Sequence, residues 1–515
     1  MRRILVMVLV TALLLGCARG AAEGPAPAAT NTPRPALTLT PLADVQVLPR
    51  SERPNVVFIL TDDLDLLLGT IDYMPQLQEL LVKQGLTVEN FLISHPLCCP
   101  ARVTFLRSQY THNHGIYRND QPNGGFEQFY YLEHETSTLA TWLQAAGYRT
   151  ALLGKYLNGY PFREDRLYVP IGWDEWYTGV GGAPFAGFQY TLNENGAFVN
   201  YEETGEGESQ FITDVLARKA GEFIQRSSAA GAPFFVHLST YAPHLPVKAA
   251  PRHEWLFPDL TAPRTASFNQ EDVSDKHAGI RFDPPLTEDE IGDLDWEYRS
   301  RVLGMQAVDD MIAYLLDVLQ ATGELDNTYF IFTSDNGYHL GQHRLRNGKG
   351  EPYDEDTRVP FIVRGPGIAP DTTLEGYLTG NVDFAPTIAQ LAGVVPPDYV
   401  DGRSMAGFFR GERPAPEEWR AGYLLEFYGY NERDTPPDAP APTPVYLGLR
   451  TQDYLYVEFE DGFIELYDLR TDPDQMENIA ATADPDLQEY LSDWLNALST
   501  CADAQCRALD REPAR

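Results

Sequence analysis

Acidic and amide side chains follow two apolar segments that lie far apart in this 515-residue chain. Asp62 and Asp63 come directly after the run PNVVFIL. Asp335 and Asn336 come shortly after the run YFIFT. Three carboxylates and one amide oxygen, without thiolate or imidazole, select a hard cation, and calcium is favoured over magnesium because it tolerates irregular, many-ligand geometry. Each pair also fits a simpler role, as a helix cap or a hairpin turn.

Four further side chains could take part in chemistry at the same place. Lys155 and His244 each follow another apolar run, TALL and FFVHL respectively, while Cys98 lies in the segment CCPAR and Lys349 follows SDNGYHLGQH. Taken singly, a lysine is usually a solvated surface group, a histidine after a strand is usually structural, and a buried cysteine usually acts as a small apolar side chain. These residues therefore indicate a reaction only if the fold brings them together.

The apolar runs read as strands buried on both faces of a sheet, with helical patterns between them. Alternating strands and helices predict an α/β fold whose ligands gather at the carboxyl ends of the strands. From about residue 417 the pattern changes to short alternating strands and a final helix, which predicts a smaller antiparallel sheet. Polar, aromatic-rich insertions are expected to cap the site. The predicted strands are 54–60, 150–153, 234–238, 329–333, 446–450 and 454–460; the helices are 137–146, 211–225 and 486–499; the insertions are 160–210 and 249–295.

The amino-terminal residues carry a targeting signal. Two arginines precede an apolar run that is too short to span a bilayer and ends at Gly16-Cys17, which predicts a signal peptide over 1–17. The ending resembles a bacterial lipoprotein box, so Cys17 is the predicted site of a lipid anchor; an ordinary secreted protein cut nearby is the alternative. Either reading predicts export. A Pro-, Ala- and Thr-rich tether over 18–50, a catalytic domain over 51–415 and a C-terminal α+β subdomain over 416–515 follow.

Charge and cysteine content limit the possible partners. The chain has 74 acidic and 39 basic residues, a formal charge of −35, which argues against nonspecific binding to nucleic acid or anionic membranes. Any anionic substrate therefore needs a local cationic pocket. In an oxidising compartment Cys501 and Cys506 could form a short-loop disulfide, with two free thiols as the alternative.

The decisive pattern is the order of five motifs along the chain. TDD after the first strand, CCPAR, GKYLNGY, APH, and SDNGYHLGQH followed by Lys349 resemble the sulfatase family of the alkaline phosphatase superfamily, with coverage from about residue 54 to 480. The variants CCPxR, THNH and GKYLN are most similar to N-acetylglucosamine-6-sulfatases. This resemblance implies a large mixed, mostly parallel sheet flanked by helices.

The resemblance also implies a mechanism. In this family the cysteine of Cys-x-Pro-x-Arg, here Cys98, is oxidised by a maturation enzyme to formylglycine. One hydroxyl of its hydrate attacks sulfur, and the other later reforms the carbonyl and expels sulfate. The implied metal ligands are Asp62, Asp63, Cys98, Asp335 and Asn336; in the implied catalytic set, Arg102 orients the hydrate, Lys155 and Lys349 hold the sulfate, and His244 protonates the leaving oxygen.

One position departs from the family pattern. Many sulfatases have a histidine two residues after the first lysine, whereas this chain has Leu157. Asn158, His112 and His114 are the candidates to replace it. His339 and His343 are expected to face the substrate.

The expected function is release of inorganic sulfate from a sulfated sugar, with the 6-O-sulfate of N-acetylglucosamine in glycosaminoglycans as the candidate. Two alternatives stay open at this point. A phosphate or phosphonate ester hydrolase would keep the fold and the metal, but such relatives usually use Thr or Ser as nucleophile. A noncatalytic lipoprotein that binds sulfated glycans would leave Cys98 unconverted.

Overall fold

The computed structural model describes residues 37–39, 49–202, 209–430 and 443–511. The predicted signal peptide, Cys17 and most of the predicted tether lie outside these residues. Within them, no helix is both long enough and apolar enough to cross a membrane. The strands are β1 (Asn55–Thr61), β2 (Leu86–Leu92), β3 (Arg149–Gly154), β4 (Glu175–Gly179), β5 (Tyr190–Glu194), β6 (Ala197–Tyr201), β7 (Phe234–Ser239), β8 (Thr328–Ser334), β9 (His339–Leu340), β10 (Asn347–Gly348), β11 (Arg358–Arg364), β12 (Thr372–Gly380), β13 (Gly422–Phe427), β14 (Tyr446–Thr451), β15 (Tyr454–Phe459) and β16 (Ile464–Asp468).

The helices alternate with the strands over most of the chain. They are α1 (Pro75–Leu77), α2 (Cys98–Arg107), α3 (Thr111–His114), α4 (Gly125–Tyr131), α5 (Leu139–Ala145), α6 (Ile212–Ala229), α7 (Ala278–Arg281), α8 (Glu288–Thr322), α9 (Asp354–Thr357), α10 (Phe384–Leu391), α11 (Ala406–Phe409), α12 (Pro416–Trp419), α13 (Pro485–Leu498) and α14 (Ala504–Leu509).

A ten-stranded sheet in the order β12-β2-β11-β8-β1-β7-β3-β4-β5-β6 forms the centre of the fold. The pairings from β8 through β1, β7 and β3 to β4 are parallel. β11 runs antiparallel to β8 and β2, and β5 and β6 form an antiparallel extension of the β4 edge. The predicted α/β class, with a large mixed sheet that is mostly parallel at its centre, is confirmed.

The buried strands carry apolar side chains on both faces, as their continuous apolar sequences predict. Val56, Phe58 and Leu60 of β1 point into a core with α2, α5 and α10. Val57 and Ile59 point into the opposite core, with α6 and α8. Helices therefore cover both faces, and the carboxyl ends of the strands are left open at one edge.

The insertion 160–210 has a more regular structure than the cap that its sequence suggests. Its residues form β4, β5 and β6, which continue the large sheet. The physical reason is that Trp176, Tyr177, Tyr190 and Leu192 are buried along these strands, so the aromatic content serves sheet packing. In the insertion 249–295, the structure has the short helix α7 and the first turns of α8.

The C-terminal region forms the predicted smaller unit. β13, β14, β15 and β16 make a four-stranded antiparallel sheet, and α13 packs on it through Leu491, Trp494 and Leu495. The same core contains Leu92, Tyr110 and Leu378 of the larger part, so the two sheets share buried apolar contacts. Cys501 and Cys506 are disulfide-bonded after α13.

A buried ion-pair cluster joins this sheet to the large one, and we expect it to be essential for stability. Arg420 is 0% exposed and donates to Asp383 at 2.5 and 2.8 Å and to Asp510 at 2.8 Å. The substitution Arg420→Met leaves two buried carboxylates without this partner, so the free energy of unfolding should fall by about 3–5 kcal/mol. Denaturant unfolding monitored by tryptophan fluorescence measures the change.

The matched control for this prediction is Arg410→Met. Arg410 pairs with Glu412 at 2.9 Å, but both side chains are exposed. An exposed pair contributes at most about 1 kcal/mol, so this variant should unfold almost like the parent. Equal unfolding midpoints for the two variants would contradict the importance of the buried cluster.

Candidate active site

Four parallel neighbours of the large sheet bring their following residues to the same edge. β8, β1, β7 and β3 are adjacent, and their chains continue into Asp335, Asp62, His244 and Lys155. The register aligns Thr61 with Ser334, so Asp62 and Asp335 leave their strands side by side. The site therefore lies at the carboxyl edge, as expected for an open α/β sheet.

Cys98 is the first residue of α2 and lies directly above this edge. It is buried, and its Sγ is 3.7 Å from Asp62 Oδ1 and 3.9 Å from Asp63 Oδ1. The next N–H group of the helix, that of Cys99, donates to Asn119 Oδ1 at 2.9 Å. A helix N-terminus favours negative charge, so an oxyanion at residue 98 or a bound anion is favoured there.

A buried lysine, Lys155, and a partly buried lysine, Lys349, contact the acidic cluster. Lys155 Nζ lies 2.8 and 2.7 Å from the two carboxylate oxygens of Asp62. Lys349 Nζ contacts Asp63 Oδ1 and lies 3.0 Å from Cys98 Sγ. The two ammonium groups thus reach the acidic cluster beside residue 98 from two different segments of the chain, and each is paired with a carboxylate.

Arg102 lies one turn after Cys98 and cross-links the strand ends. Its Nε donates to Asp335 Oδ2 at 2.8 Å, and its Nη1 donates to the Lys155 carbonyl at 3.0 Å and to Ser239 Oγ at 2.5 Å. Its Nη2 is 3.8 Å from Asp62 Oδ1. This guanidinium therefore fixes the carboxylates relative to the helix that carries residue 98.

The donor atoms of this cluster fit a hard divalent cation. The nearest ligand atoms of Asp62, Asp63, Cys98 and His244 all lie within 4.8 Å of one another. Asn336 Nδ2 donates to Asp63 Oδ1 at 2.8 Å, while Asn336 Oδ1 is buried without a hydrogen-bond partner. An unpartnered buried amide oxygen beside carboxylates is an oxygen ligand of the type that calcium and magnesium bind.

His244 lies at the open side of the cluster. Its Nδ1 contacts the Leu245 carbonyl, and its Nε2 is 3.7 Å from Asp63 Oδ2. Because a carbonyl oxygen only accepts, Nδ1 carries a proton, and Nε2 is the nitrogen that can exchange one at the site. The side chain is 31% exposed, unlike the buried groups beneath it.

Neighbouring charges lower the pKa values of two carboxylates in the cluster, whereas burial raises the pKa of the Cys98 thiol. Burial opposes ionisation of Asp62, but Lys155, His244, Arg102 and Lys349 together hold its pKa below the ordinary value. Asp63 has a lowered pKa for the corresponding reason, with Lys349 as its main partner. Burial raises the pKa of the Cys98 thiol to about 11. At neutral pH these two carboxylates are therefore ionised and an unmodified Cys98 is a neutral thiol, which is a poor nucleophile.

Arg301 is a site-supporting residue that the sequence analysis missed. This α8 side chain is 0% exposed, donates to the carbonyl of Asp63 and to that of Pro243 at 3.4 Å, and lies 3.9 Å from the ring centroid of Tyr338. Asp63 has φ 67°, a left-handed conformation that is unusual outside glycine. Arg301 thus holds an unusual backbone conformation in place, and a single arginine inside a long helix gives no local sequence signal for that role.

The predicted substrate-facing roles of His339 and His343 need correction. His343 is 0% exposed, with its Nδ1 on Gln270 Oε1 at 2.8 Å and its ring against Tyr353. His339 is 5% exposed, and Asp356 holds its Nδ1 at 2.9 and 3.0 Å. Both histidines are therefore buried and hydrogen-bonded to side chains of other segments, His339 to Asp356 and His343 to Gln270.

Two of the proposed substitutes for a histidine at Leu157 are engaged elsewhere. His112 contacts Glu426 Oε1 at 2.6 Å and the Cys501 carbonyl at 2.8 Å. His114 lies 3.3 Å from Thr104 Oγ1 and accepts the Ile116 N–H at 3.0 Å. Leu157 itself is part of the apolar core. Asn158 Oδ1 is buried without a hydrogen-bond partner among the described residues. That Asn158 replaces the usual histidine stays a prediction.

Comparison with known proteins identifies the family. The model of the sulfatase family matches residues 54–394, and a second model, of the N-sulphoglucosamine sulphohydrolase C-terminal region, matches residues 341–500. The chain belongs to the sulfatase family. Human N-acetylglucosamine-6-sulfatase is 36% identical over 486 residues, covering 89% of this chain and 86% of the human protein. This sulfatase is therefore an enzyme of sulfate-ester hydrolysis.

Solved structures support the same fold. A protein in complex with its substrate D-glucosamine-2-N,6-O-disulfate superposes with a TM-score of 0.70 at 25% identity, covering 90% of this sulfatase and all of that chain. The phosphonate monoester hydrolase of Agrobacterium radiobacter superposes with a TM-score of 0.63 at 21% identity, covering 88% and 96%. At the lower identity the similarity shows the fold alone, so the fold does not separate sulfate from phosphonate chemistry.

Proposed function

We propose that this sulfatase removes the 6-O-sulfate of N-acetylglucosamine or a closely related glucosamine in glycosaminoglycans. The observation that carries the chemistry is Cys98 at the start of α2, between Lys349 and the carboxylates of Asp62 and Asp63. The sugar is supported by the 36%-identical human relative and by the relative solved with a glucosamine disulfate.

Residue 98 is the nucleophile of this proposal. Conversion of Cys98 to formylglycine would supply a hydrated aldehyde whose oxygen attacks sulfur and whose second hydroxyl permits release of sulfate. The buried, neutral thiol of unmodified Cys98 cannot do this. Arg102 holds the base of the nucleophile's helix against Asp335, which fixes the position of residue 98.

The remaining residues bind the metal and the sulfate. Ca²⁺, rather than Mg²⁺, would be held by Asp62, Asp63, Asp335, Asn336 and residue 98, where it would lower the pKa of the attacking hydroxyl and neutralise sulfate charge. Lys155 contacts Asp62 and Lys349 contacts Asp63. With a metal bound to these carboxylates, the two lysines would be available to bind the sulfate oxygens. Fixed cations beside developing negative charge are among the largest contributions to catalysis.

His244 is the proposed general acid, so the fall in kcat when it is substituted should depend on the leaving group. The substitution His244→Gln should lower kcat for N-acetylglucosamine-6-sulfate by about 10²–10⁴-fold, because an alkoxide leaving group needs a proton. A nitrophenyl sulfate releases a stable phenolate and should be slowed much less. Parallel steady-state kinetics on the two substrates make the comparison, and equal losses on both would contradict the assignment.

The substrate proposal is tested by measuring inorganic sulfate release from a panel. The panel contains N-acetylglucosamine-6-sulfate, glucosamine carrying both N- and 6-O-sulfate, galactose-6-sulfate, a nitrophenyl sulfate and a phosphonate monoester. The proposal expects the highest kcat/KM with one of the glucosamine 6-sulfates. A higher kcat/KM with the phosphonate ester would favour the alternative chemistry. Binding without turnover by protein whose Cys98 stays an unmodified thiol, despite co-production with a maturation enzyme, would favour the noncatalytic alternative.

We also propose that the enzyme is exported and anchored by lipid at Cys17. The support is the charged, apolar and small-residue order of 1–17, which ends at Leu15-Gly16-Cys17. In its own host, Cys17→Ala should move the protein from the membrane fraction to the soluble fraction, as immunoblotting of the fractions would show. Unchanged membrane association of that variant would contradict lipid anchoring at this residue.

A further inference from the structure

Phe185 is a half-buried aromatic side chain beside the candidate general acid. It belongs to the short 3₁₀ turn Ala183–Ala186, in the connection between β4 and β5. Its ring centroid is 4.8 Å from that of His244, and Lys155 Nζ lies 5.6 Å from the Phe185 centroid. One aromatic ring therefore borders both a sulfate-binding candidate and the leaving-group side of the site.

The turn that carries Phe185 is fixed in place by close packing. Tyr241 meets the Phe185 ring edge-on at 5.0 Å, and its hydroxyl accepts the N–H of Gly179 at 3.0 Å. A Cβ atom at Gly179 would lie 2.4 Å from both Pro184 Cγ and the Tyr241 hydroxyl, so the turn packs directly on the end of β4. The far side is tied to α6 because Ile212 donates to the Gly187 carbonyl at 2.9 Å.

Phe185 is partly exposed and lies beside residues that are themselves exposed. Gly181, Gly182 and Ala183 are exposed, and the buried Pro184 separates them from Phe185. The His244 side chain is 31% exposed, and its Nε2 faces Asp63. If the ester oxygen of a substrate is hydrogen-bonded to His244 Nε2, the carbon atoms attached to that oxygen lie close to Phe185, because the two ring centroids are 4.8 Å apart.

We propose that Phe185 is a specificity-determining residue that stacks on the apolar C–H face of a hexopyranose leaving group. This inference rests on the proposed function and deepens it, because it names the part of the substrate that the 160–210 insertion recognises. An aromatic side chain with two rotatable bonds, already held by its neighbours, loses little conformational freedom on binding and suits such a platform. The sulfate itself meets the lysines and does not need the ring.

Because Phe185 would bind the sugar and the lysines would bind the sulfate, substitution of Phe185 should change KM for the sugar sulfate without changing the binding of free sulfate. With N-acetylglucosamine-6-sulfate, Phe185→Leu should raise KM about tenfold, the size of effect expected when a buried aromatic contact is lost, and should change kcat little. The inhibition constant of inorganic sulfate should stay the same, since that ion lacks a sugar ring. Phe185→Tyr and Phe185→Trp keep a stacking surface and should retain a KM close to that of the parent enzyme.

The matched control is Phe188→Leu, three residues along the same connection. Phe188 is also half-buried, but it packs against Phe211 at 5.3 Å, away from His244 and Lys155. Its KM should be unchanged. A weakened sulfate inhibition or a fall in kcat for Phe185→Leu would overturn the inference and indicate that the ring only supports Lys155 and His244, and an unchanged KM would overturn it as well.

The experiment also separates this inference from the proposed function. If the parent enzyme turns over the sugar sulfate and Phe185→Leu has the parent KM, only the stacking role falls. If the parent enzyme hydrolyses a nitrophenyl sulfate but no glucosamine 6-sulfate, the proposed substrate and the stacking role fall together.

Discussion

Cys98→Ala is expected to lower sulfate release from N-acetylglucosamine-6-sulfate by at least about 10⁴-fold, because the variant lacks the group from which the nucleophile is made. The fold should persist, since residue 98 is the first residue of α2 and, among the described residues, its thiol is within hydrogen-bond distance of Asp62, Asp63 and Lys349. Steady-state sulfate release measures the loss, and thermal unfolding establishes that the variant is folded.

The adjacent cysteine provides the control for this prediction. Cys99 is equally buried, but its side chain belongs to the apolar core beneath the helix. Cys99→Ala removes a small apolar group, so it should cost stability while retaining most of the activity. Comparable activity in the two variants would exclude residue 98 as the nucleophile.

Removal of the divalent cation is also expected to have a large effect on the rate. Chelation should lower kcat by about 10³-fold, since a metal held by these residues would both help to ionise the proposed nucleophile and neutralise sulfate charge, contributions of several kcal/mol. Added Ca²⁺ should restore activity, and Mg²⁺ should restore less of it. The cation should also raise the unfolding temperature, because it binds the folded protein and screens the three clustered carboxylates.

The ligand assignment can be tested separately from catalysis. Asp62→Asn removes one charged oxygen from the cluster, and calcium titration calorimetry should show affinity at least about 10²-fold weaker. Asp309→Asn is the matched control, since Asp309 is also buried but accepts the N–H groups of Gln76 and Leu77. Equal calcium affinity in both variants would contradict a calcium site at Asp62.

The strand-end residues of the site could be predicted because regular structure determines their position. Continuous apolar runs identify buried parallel strands, and adjacent parallel strands bring Asp62, Lys155, His244 and Asp335 to the same edge whatever the loops do. The motif containing Cys98 adds the proposed nucleophile, because the place of Cys98 at the start of α2 follows from one local segment.

Side chains that act through long-range packing could not be predicted in the same way. Arg301 reaches Asp63 from the middle of α8, and Phe185 reaches His244 from an irregular connection. Neither lies in a periodic pattern that points to the site. His343 illustrates the opposite error: it was predicted to face the substrate, whereas burial against Gln270 and Tyr353 excludes that role.

The aromatic insertion shows why composition alone was insufficient. Tyrosine, tryptophan and asparagine between 173 and 201 are equally compatible with a binding surface and with edge strands of a sheet. The pairing of β4 with β3 decides between them, and that pairing is a contact between residues more than twenty positions apart. Within the described part of this insertion, the turn between β4 and β5 brings Phe185 next to His244 and Lys155.

The most direct test of the account is mass spectrometry of the tryptic peptide that contains residue 98. The protein should be purified from its own host or produced together with a formylglycine-generating enzyme, and assayed for sulfate release in parallel. The account predicts a peptide with an aldehyde in place of the Cys98 thiol, in a fraction that rises with specific activity. An unmodified thiol in fully active protein would contradict it.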